Sequence, residues 1–259
     1  MRVPIEIVNQ RRERLRALIR RDGFLPLADI CRQLEISEAT ARRDLVAIEA
    51  DGHITRTYGG ALADYNSSFA SLSERTKHAR SAKSRIARAA NRHVPAGGVI
   101  FLDAGTTVLA LARLLVRRKD QAITVVTNNL AVASVLGDAP GISLHLLGGV
   151  FLHRQATLFG DQTVSALAHW KIDAAFLGAE AMNAQGIWNS HAEVVRLQRA
   201  VLQVAKASFF CLDASKLNRT TPHCVATWDE IDHLVSNITP GKLHEAGIKI
   251  SASQLVAAN

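Results

Sequence analysis

Short apolar runs alternate with helical patterns from Pro95 onward, and this alternation restricts the possible folds more than any other feature of the sequence. Five of these runs end in a cluster of glycine or polar residues, and they cover residues 99–103, 123–127, 142–147, 173–177 and 208–212. Strands that alternate with helices are typical of a largely parallel sheet with helices on both faces. The sequence therefore predicts a Rossmann-like α/β domain over residues 81–259.

Polar and glycine residues follow the ends of these predicted strands. The carboxyl ends of parallel strands meet at one edge of a sheet, and open α/β folds bind ligands at that edge. We therefore expect a ligand pocket there. Its candidate residues, all at or near a strand end, are Asp103, Gly105, Thr106, Thr107, Thr127, Asn128, Asn129, Gly148, Gly149, Gly178, Glu180 and Lys216.

The chemistry of these residues indicates a phosphorylated ligand. Residues 105–107, Gly-Thr-Thr, open a predicted helix, where backbone N–H groups, two hydroxyls and the positive end of the helix dipole suit a phosphate. Asn128 and Asn129 can exchange hydrogen bonds with sugar hydroxyls. Lys216 supplies a cation for the anionic group.

The first 61 residues carry the pattern of a helix-turn-helix followed by a hairpin. Apolar residues recur at helical spacing over 11–21, 27–34 and 38–50, and Ser37 is a suitable N-cap for the third helix. Residues 52–61 alternate β-branched and polar side chains between glycines, which predicts a small wing. The helices over 27–34 and 38–50 are joined by a tight turn, and the latter has arginines on its exposed leading half. This is the arrangement in which a helix enters the major groove of DNA. The candidate DNA contacts are Ser37, Glu38, Thr40, Arg42, Arg43, Arg56 and Tyr58.

The formal net charge of +8 is concentrated toward the amino terminus. Residues 1–60 hold 11 Lys and Arg against 9 Asp and Glu, residues 61–97 hold 7 against 2, and the rest of the chain holds 13 against 12. Basic charge gathered at one end indicates a module that binds a polyanion. Residues 62–80 are predicted to be a linker. The basic run 75–85 is interpreted as a solvent-facing helix that adds electrostatic attraction, in preference to a direct DNA contact.

Several classes of protein are not expected from this sequence. Three scattered cysteines form neither a disulfide framework nor a metal cluster, and the histidines lack ligand spacing, so we expect no metal and no cofactor. No run approaches the ~18 apolar residues of a membrane span, and the first residues lack the apolar core of a signal peptide. We therefore expect a cytoplasmic protein that does not contact membranes.

The stretch from Arg12 to Ala61 resembles the winged helix-turn-helix of the DeoR family of bacterial transcriptional regulators. The resemblance rests on Glu38-Ala39-Thr40-Ala41-Arg42-Arg43-Asp44-Leu45 and on Gly52-His53-Ile54-Thr55-Arg56-Thr57-Tyr58-Gly59-Gly60-Ala61. Ala41 departs from the Ile or Val of the family pattern.

The second part of the chain resembles the sensor domain of the same family. The matching segments are Lys83-x-x-Ile86-Ala87, Leu102-Asp103-Ala104-Gly105-Thr106-Thr107, Val125-Val126-Thr127-Asn128, Leu147-Gly148-Gly149, Phe176-Leu177-Gly178 and Leu212-Asp213-Ala214-Ser215-Lys216. The chain departs from the family in two places: Ala179-Glu180-Ala181 stands where Ala-Asp-Gly is frequent, and Val235-Ser236-Asn237 replaces a frequent [Thr/Val]-Thr-Asp.

The resemblance implies a sensor domain similar in fold to ribose-5-phosphate isomerase and a phosphorylated sugar as effector. It also implies a homo-oligomer, either a dimer or a tetramer, that binds a double-stranded DNA operator. On this basis the chain is expected to be a repressor of carbohydrate metabolism genes that its effector releases from DNA.

Two alternatives are compatible with the sequence. Asp103, Glu180 or Asp213 could act as the base of an aldose–ketose isomerase, which would make the chain an enzyme with a DNA-binding domain. An architectural DNA-binding protein without a ligand is the second alternative. The clustering of polar residues at strand ends favours a ligand-controlled regulator over both, and no catalytic residue is assigned.

Overall fold

The computed structural model describes residues 4–22, 24–51, 54–57, 60–63, 72–118, 122–152 and 155–258 of the 259-residue chain. The chain divides into two compact units, Met1–Phe69 and Ala70–Asn259. Most of the segment 62–71, the first part of the predicted linker, lies outside the described residues.

The described part of the first unit forms a winged helix-turn-helix. Its elements are α1 (Ile5–Asp22), β1 (Phe24–Pro26), α2 (Leu27–Leu34), α3 (Glu38–Ala50), β2 (Ile54–Thr57) and β3 (Gly60–Ala63). The strands pair antiparallel in the order β1-β3-β2. Apolar residues from all three helices form one core, including Leu15 and Ile19 of α1, Ile30 of α2 and Leu45 of α3. Glu35 adopts left-handed backbone geometry (φ 53°) and makes the tight turn between α2 and α3.

Two features of this unit were not predicted from the sequence. Helix α1 begins at Ile5, before the predicted start at Arg11. The sequence did not show this earlier start because the first residues of the helix are exposed and carry no core-facing periodicity. Strand β1 adds a third strand to the wing by pairing with β3. Three residues are too few to show the alternation by which a strand is recognised in sequence.

The second unit is an α/β domain. Its described elements are α4 (Leu72–Lys77), α5 (Arg80–Asn91), β4 (Val99–Leu102), α6 (Thr106–Leu115), β5 (Ile123–Thr127), α7 (Leu130–Leu136), β6 (Ile142–Leu146), β7 (Val150–Leu152), β8 (Thr157–Phe159), α8 (Asp161–Leu167), β9 (Ala174–Leu177), β10 (Ala181–Asn183), β11 (Gly186–Asn189), α9 (Ala192–Val204), β12 (Ser208–Cys211), a 3₁₀ turn (Ala214–Lys216), β13 (His223–Ala226), β14 (His233–Ser236), α10 (Pro240–Glu245) and β15 (Leu255–Ala257). Helix α4 lies within the range 62–80 that the sequence predicted to be a linker.

A parallel seven-stranded sheet organises this unit, in the order β15-β14-β12-β9-β4-β5-β6. Residues of α5, α6 and α7 pack on one face, and residues of α8, α9 and α10 pack on the other. Both faces are therefore buried, which explains the nearly continuous apolar runs of the strands. The predicted fold class is confirmed. The small sheets β10-β11-β13 and β7-β8 were not predicted.

The order of the strands places a topological switch point between β4 and β9. From β4 the chain builds toward β5 and β6 on one side, and from β9 toward β12, β14 and β15 on the other. In open α/β folds such a switch point opens a crevice outside the carboxyl ends of the two strands. Asp103 follows β4 and Gly178 follows β9, so two of the predicted ligand residues flank this crevice.

Candidate functional site

Helix α3 presents the predicted DNA-reading residues on its outer side. Ser37 caps the helix, since its Oγ accepts a hydrogen bond from the backbone N–H of Thr40 at 3.3 Å. Glu38, Arg42 and Arg43 are exposed. The Arg42 guanidinium lies 3.4 Å from the Glu38 carboxylate. Ala41, Leu45 and Ile48 are buried on the other side of the helix, so the leading half of α3 keeps its polar side chains available to a partner.

A buried carboxylate holds α3 against α1. Asp44 is only 1% exposed and accepts hydrogen bonds from Nε of Arg11 at 2.6 Å and from Nε of Arg12 at 3.0 Å. A buried charge needs such partners, because its desolvation is costly when it is unpaired. Sequence reasoning missed this role of Asp44. The available signal was an acidic residue on the inner side of a helix, next to the core residue Leu45.

The wing is also fastened to α3. The backbone N–H of Arg56 donates to Oε1 of Glu49 at 2.8 Å, and the Arg56 guanidinium donates to the other oxygen of the same carboxylate. Arg56 therefore positions strand β2 beside the end of α3 while its side chain stays partly exposed. Tyr58, the other predicted wing contact, lies outside the described residues.

In the second unit, Asp103 joins the two strands of the switch point. Its carboxylate accepts hydrogen bonds from the backbone N–H of Ala104 at 2.7 Å, from the backbone N–H of Gly178 at 3.2 Å and from Nε2 of Gln198 at 2.6 Å. Burial raises the pKa of Asp103 to about 6, although these hydrogen bonds act in the opposite direction. Asp103 thus lies beneath the crevice, as part of its framework.

The network continues from Asp103 to Glu180. Gln198 also donates to the carbonyl of Gly178 at 2.7 Å and accepts from Nδ2 of Asn189 at 2.7 Å. Asn189 in turn accepts from the backbone N–H of Glu180, and the hydroxyl of Ser190 donates to the Glu180 carboxylate at 2.6 Å. Burial raises the pKa of Glu180, while the hydrogen bonds from Ser190 lower it. Gln198, Asn189 and Ser190 were missed in the sequence because no motif connects them to the strand ends.

Open space lies above two of the predicted glycines. Gly105 is the N-cap of α6 with a φ of +128°, and no described side chain caps this helix. A Cβ atom built on Gly105 or on Gly148 would meet nothing within 4 Å. Thr106 and Thr107 are largely buried at the start of α6, and neither hydroxyl has a hydrogen-bond partner among the described residues. Free backbone and side-chain donors at a helix amino terminus are suited to an anion.

The side chains of Thr127 and Asn129 instead form hydrogen bonds with other groups of the protein. The hydroxyl of Thr127 donates to the carbonyl of Leu102 at 2.6 Å. Nδ2 of Asn129 donates to the Gln155 carbonyl and to the Thr157 hydroxyl, and its Oδ1 caps α7. These side chains hold strand β8 and helix α7 against the sheet edge. The predicted hydrogen bonds of Asn129 to sugar hydroxyls would compete with these contacts.

Asn128 keeps one polar atom without a partner. Its Nδ2 donates to the Leu158 carbonyl at 3.0 Å, whereas its buried Oδ1 receives no hydrogen bond from the described residues. A buried acceptor in this state costs free energy unless a ligand or water satisfies it. Gly149 has a structural role, because a Cβ there would lie 2.3 Å from Oγ1 of Thr163.

Cationic groups surround the carboxylates at this edge. The Lys216 ammonium makes no hydrogen bond or ion pair with the described residues, and burial lowers its pKa against the opposing effect of Asp213 and Glu180. Lys83 is buried and donates to the carbonyls of Arg75 and His78 at 2.6 and 2.7 Å. Burial lowers the pKa of Lys83 too.

Arg75 adds a third cation to this group. Its charge lowers the pKa of Glu180, Lys216 and Lys83. Arg75 lies on α4, the first described helix after the boundary between the two units. Sequence reasoning assigned its basic run to a solvent-facing helix and therefore missed Arg75 and Lys83 as site residues.

Within the described residues, no three His, Cys, Asp or Glu side chains are grouped so that they could hold a metal ion. No helix in this part of the chain is long and apolar enough to cross a membrane. The described residues at the sheet edge offer hydrogen-bond donors and cations, and Gly105 and Gly148 leave open space there.

Comparison with known proteins extends these observations. The family described as "DeoR-like helix-turn-helix domain" matches residues 11–67, and the family described as "DeoR C terminal sensor domain" matches residues 78–237. The HTH-type transcriptional repressor GlcR of Bacillus subtilis (strain 168) is 34% identical over 234 residues, which cover 89% of this chain and 90% of that protein. The lactose phosphotransferase system repressor of Lactococcus lactis subsp. lactis is 31% identical over 240 residues, covering 91% and 94%.

Among solved structures, ribose 5-phosphate isomerase A from Methanocaldococcus jannaschii is 18% identical and covers 52% of each chain, with a TM-score of 0.38. The family assignment rests on the sequence matches: they cover both units, and the sensor match alone spans more than half of the chain. The relatives described above are named as transcriptional repressors. This chain belongs to the DeoR family of transcriptional regulators.

Proposed function

We propose that this protein is a repressor of carbohydrate metabolism genes that a phosphorylated sugar releases from its operator. In this proposal residues 1–61 form the DNA-binding domain, residues 62–80 connect the domains, and residues 81–259 bind the effector. The names of the relatives support the regulatory half, since one of them represses a lactose phosphotransferase system. A homo-oligomer, dimer or tetramer, would pair two winged domains on repeated half-sites.

The observation that carries the effector proposal is the set of unsatisfied groups around the open space at the sheet edge. The Lys216 ammonium, the hydroxyls of Thr106 and Thr107 and the uncapped start of α6 can bind a phosphate. The buried Oδ1 of Asn128 can accept a hydrogen bond from a sugar hydroxyl. Gly105 and Gly148 leave room for the ligand, because neither position has a side chain to fill it.

The charges of Lys83 and Arg75 support the same assignment. A phosphate group brings close to two negative charges, and a site with three cations near two carboxylates has a net positive charge that attracts it. Arg75 lies on the first described helix of the second unit, so a ligand held by this residue would act on the segment that leads from the DNA-binding unit. We propose that this segment carries the effector response.

On the DNA side, we propose that Thr40, Arg42 and Arg43 lie against base edges and phosphates. Support comes from the exposure of both arginines on the leading half of α3 and from the contacts of Asp44 and Glu49, which fix that helix to α1 and to the wing. Ser37, Glu38, Arg56 and Tyr58 complete the proposed contact set.

A mobility shift with the DNA upstream of the protein's own gene tests both halves. The wild-type chain is expected to bind this DNA, and one sugar phosphate in a panel is expected to release it while the unphosphorylated sugar does not. Arg43→Ala should weaken DNA binding by about 1–3 kcal/mol, with Arg21→Ala, an exposed arginine at the end of α1, as the matched control. Conversion of the sugar phosphate to its isomer by the purified protein would instead support the enzyme alternative.

A further inference from the structure

Helices α5 and α6 of the second unit carry basic side chains and no acidic one. Between residues 75 and 118 the sequence has ten Lys and Arg and a single acidic residue, Asp103. Asp103 is buried at the carboxyl edge of the sheet. The surface formed by this segment therefore has cations without neighbouring carboxylates from its own elements.

Helices α5 and α6 bring several of these arginines together. The two helices pack side by side on one face of the sheet and run in the same direction, each leading into the amino end of a strand. The Arg118 guanidinium approaches the carbonyl of Asn91 at 3.4 Å, which joins the ends of the two helices. We use the term arginine corner for Arg88, Arg92, Arg113, Arg117 and Arg118.

The arginine corner is exposed and unpaired. Arg88, Arg92, Arg113 and Arg117 are all exposed, and none of the five forms an ion pair with a described residue. Some exposed arginines elsewhere in the described chain form such pairs, namely Arg21, Arg32 and Arg196. Others, such as Arg14, Arg20 and Arg43, form none with the described residues, so what distinguishes the corner is that its five arginines lie together at the ends of two neighbouring helices. At the amino edge of the sheet, Asp173 is engaged by Lys206 and Asp232 by Ser208.

A preference for cations at helix ends does not account for this pattern alone. Arginine near a helix carboxyl terminus is favoured by the helix dipole. The effect of the helix dipole falls off within one turn. It therefore does not explain why the other turns of α5 and α6 also lack acidic residues. Unbalanced charge of this kind costs free energy through self-repulsion, which a bound polyanion would relieve.

We propose that the arginine corner is a second, sequence-independent contact surface for the phosphate backbone of duplex DNA. The inference rests on the DNA-binding function of the family, because the helix-turn-helix of the same chain supplies DNA at high local concentration. The first 60 residues carry a net charge of only +2, whereas the corner gathers five arginines and neither α5 nor α6 carries an acidic residue. The corner thus adds electrostatic attraction for DNA phosphates to the weak net charge of the helix-turn-helix unit.

The salt dependence of DNA binding tests this surface in the full-length protein. The probe is a random-sequence 40-bp duplex, and the variant is Arg92→Gln with Arg117→Gln. Each lost phosphate contact lowers the slope of log K against log salt by about 0.9, so the double variant should lose about 1.8 from the slope. Arg92→Lys with Arg117→Lys should keep most of the slope, since the charge is retained.

The matched control removes the same charge elsewhere. Arg196→Gln with Lys206→Gln removes two exposed cations that are paired with carboxylates in the same unit, and it should leave the slope unchanged. A wild-type slope in Arg92→Gln/Arg117→Gln would overturn the proposal. The proposal would also be overturned if the wild type bound vesicles of phosphatidylcholine and phosphatidylglycerol and Arg92→Gln/Arg117→Gln lost that binding with an unchanged DNA slope. That result would point to a membrane surface.

Chemical protection in the wild-type chain gives a second readout that needs no variant. Phenylglyoxal should modify Arg92 and Arg117 less when the duplex is present, while Arg196 should react equally in both samples. Equal modification of Arg92 and Arg117 with and without DNA would overturn the proposal. Failure of the proposed function is distinguishable, because then the wild-type chain would bind neither the operator nor the random duplex.

Discussion

Nε2 of Gln198 donates a hydrogen bond to Oδ2 of Asp103 at 2.6 Å, joining α9 to the end of β4 across 95 positions of sequence. Gln198 is 1% exposed and also contacts Gly178 and Asn189, so one amide holds the two central strands and the neighbouring hairpin in register. This side chain lies at the base of the crevice at the switch point, where it contacts Asp103 and Gly178. Its rigidity would therefore depend on a residue that no ligand needs to touch.

Gln198→Leu is expected to destabilise the second unit. Its loss removes the Gln198 donor from the buried carboxylate of Asp103 and leaves Nδ2 of Asn189 without its acceptor, which costs about 2–3 kcal/mol. Gln203→Leu is the matched control, because Gln203 is exposed on the same helix and should change stability by less than about 0.5 kcal/mol. Urea unfolding monitored by circular dichroism makes the comparison. Equal effects of the two substitutions would contradict this role of Gln198.

The pKa of Asp103 predicts a pH dependence of stability. Burial raises this pKa to about 6, whereas an unfolded Asp titrates near about 3.9. Between these values the folded chain retains a proton that the unfolded chain releases. The stabilising effect of this proton is full below about pH 4 and is lost as the pH rises through about 6.

This dependence can be isolated with Asp103→Asn. The stability of the wild type relative to the variant should fall by about 3 kcal/mol between pH 4 and pH 7 and then stay level, since a shift of about two pKa units corresponds to that free energy. Urea unfolding at pH 4, 5, 6 and 7 gives the difference at each point. A difference that does not change with pH would show that Asp103 titrates normally.

Asp44 is expected to be essential to the first unit. Asp44→Asn removes the carboxylate that pairs with Arg11 and Arg12, and breaking a buried pair costs about 3 kcal/mol or more. Asp51→Asn is the control, because Asp51 pairs with Arg16 at a half-exposed position and should contribute less than about 1 kcal/mol. Thermal unfolding should show the Asp44 variant losing only the transition of the first unit. A wild-type transition there would contradict the structural role.

Gly148→Ala tests the open space without disturbing the fold. A Cβ at Gly148 would meet no protein atom within 4 Å, so we expect the stability of the apo protein to stay within about 0.5 kcal/mol. The methyl group would instead occupy the proposed ligand space and reduce the increase in melting temperature caused by the sugar phosphate. Gly241→Ala is the matched control, since its Cβ would also be free of contacts but lies in α10. A full ligand response in Gly148→Ala would place the ligand elsewhere.

The fold was largely predictable because its periodic signals are strong. The buried strands read as continuous apolar runs, and α2 and α3 show core-facing spacing with Ser37 as a clear N-cap. The start of α1 was missed because Ile5 and Ile7 face solvent, where apolar residues give no inward periodicity. Strand β1 was missed because its pairing with β3 depends on a tertiary contact.

The site was predictable in position but only partly in composition. Strand ends of a parallel sheet must meet at one edge, so Asp103, Gly178 and Lys216 could be grouped from the sequence. Asn129 looked equally suited to a ligand, yet its amide holds Gln155 and Thr157, which are distant in sequence. Gln198 gave no sequence signal, because its partners are brought to it only by the packing of α9 on the sheet.

Isothermal titration of the operator-releasing sugar phosphate into the purified protein tests the central claim most directly. The account predicts that wild type binds the phosphorylated sugar and gives no heat with the unphosphorylated one. Lys216→Gln should bind at least about tenfold more weakly, because it lacks the charge-assisted contact to the phosphate, while Lys206→Gln should bind like wild type. Equal affinity of wild type and Lys216→Gln would contradict the assignment of the phosphate to the carboxyl edge of the sheet.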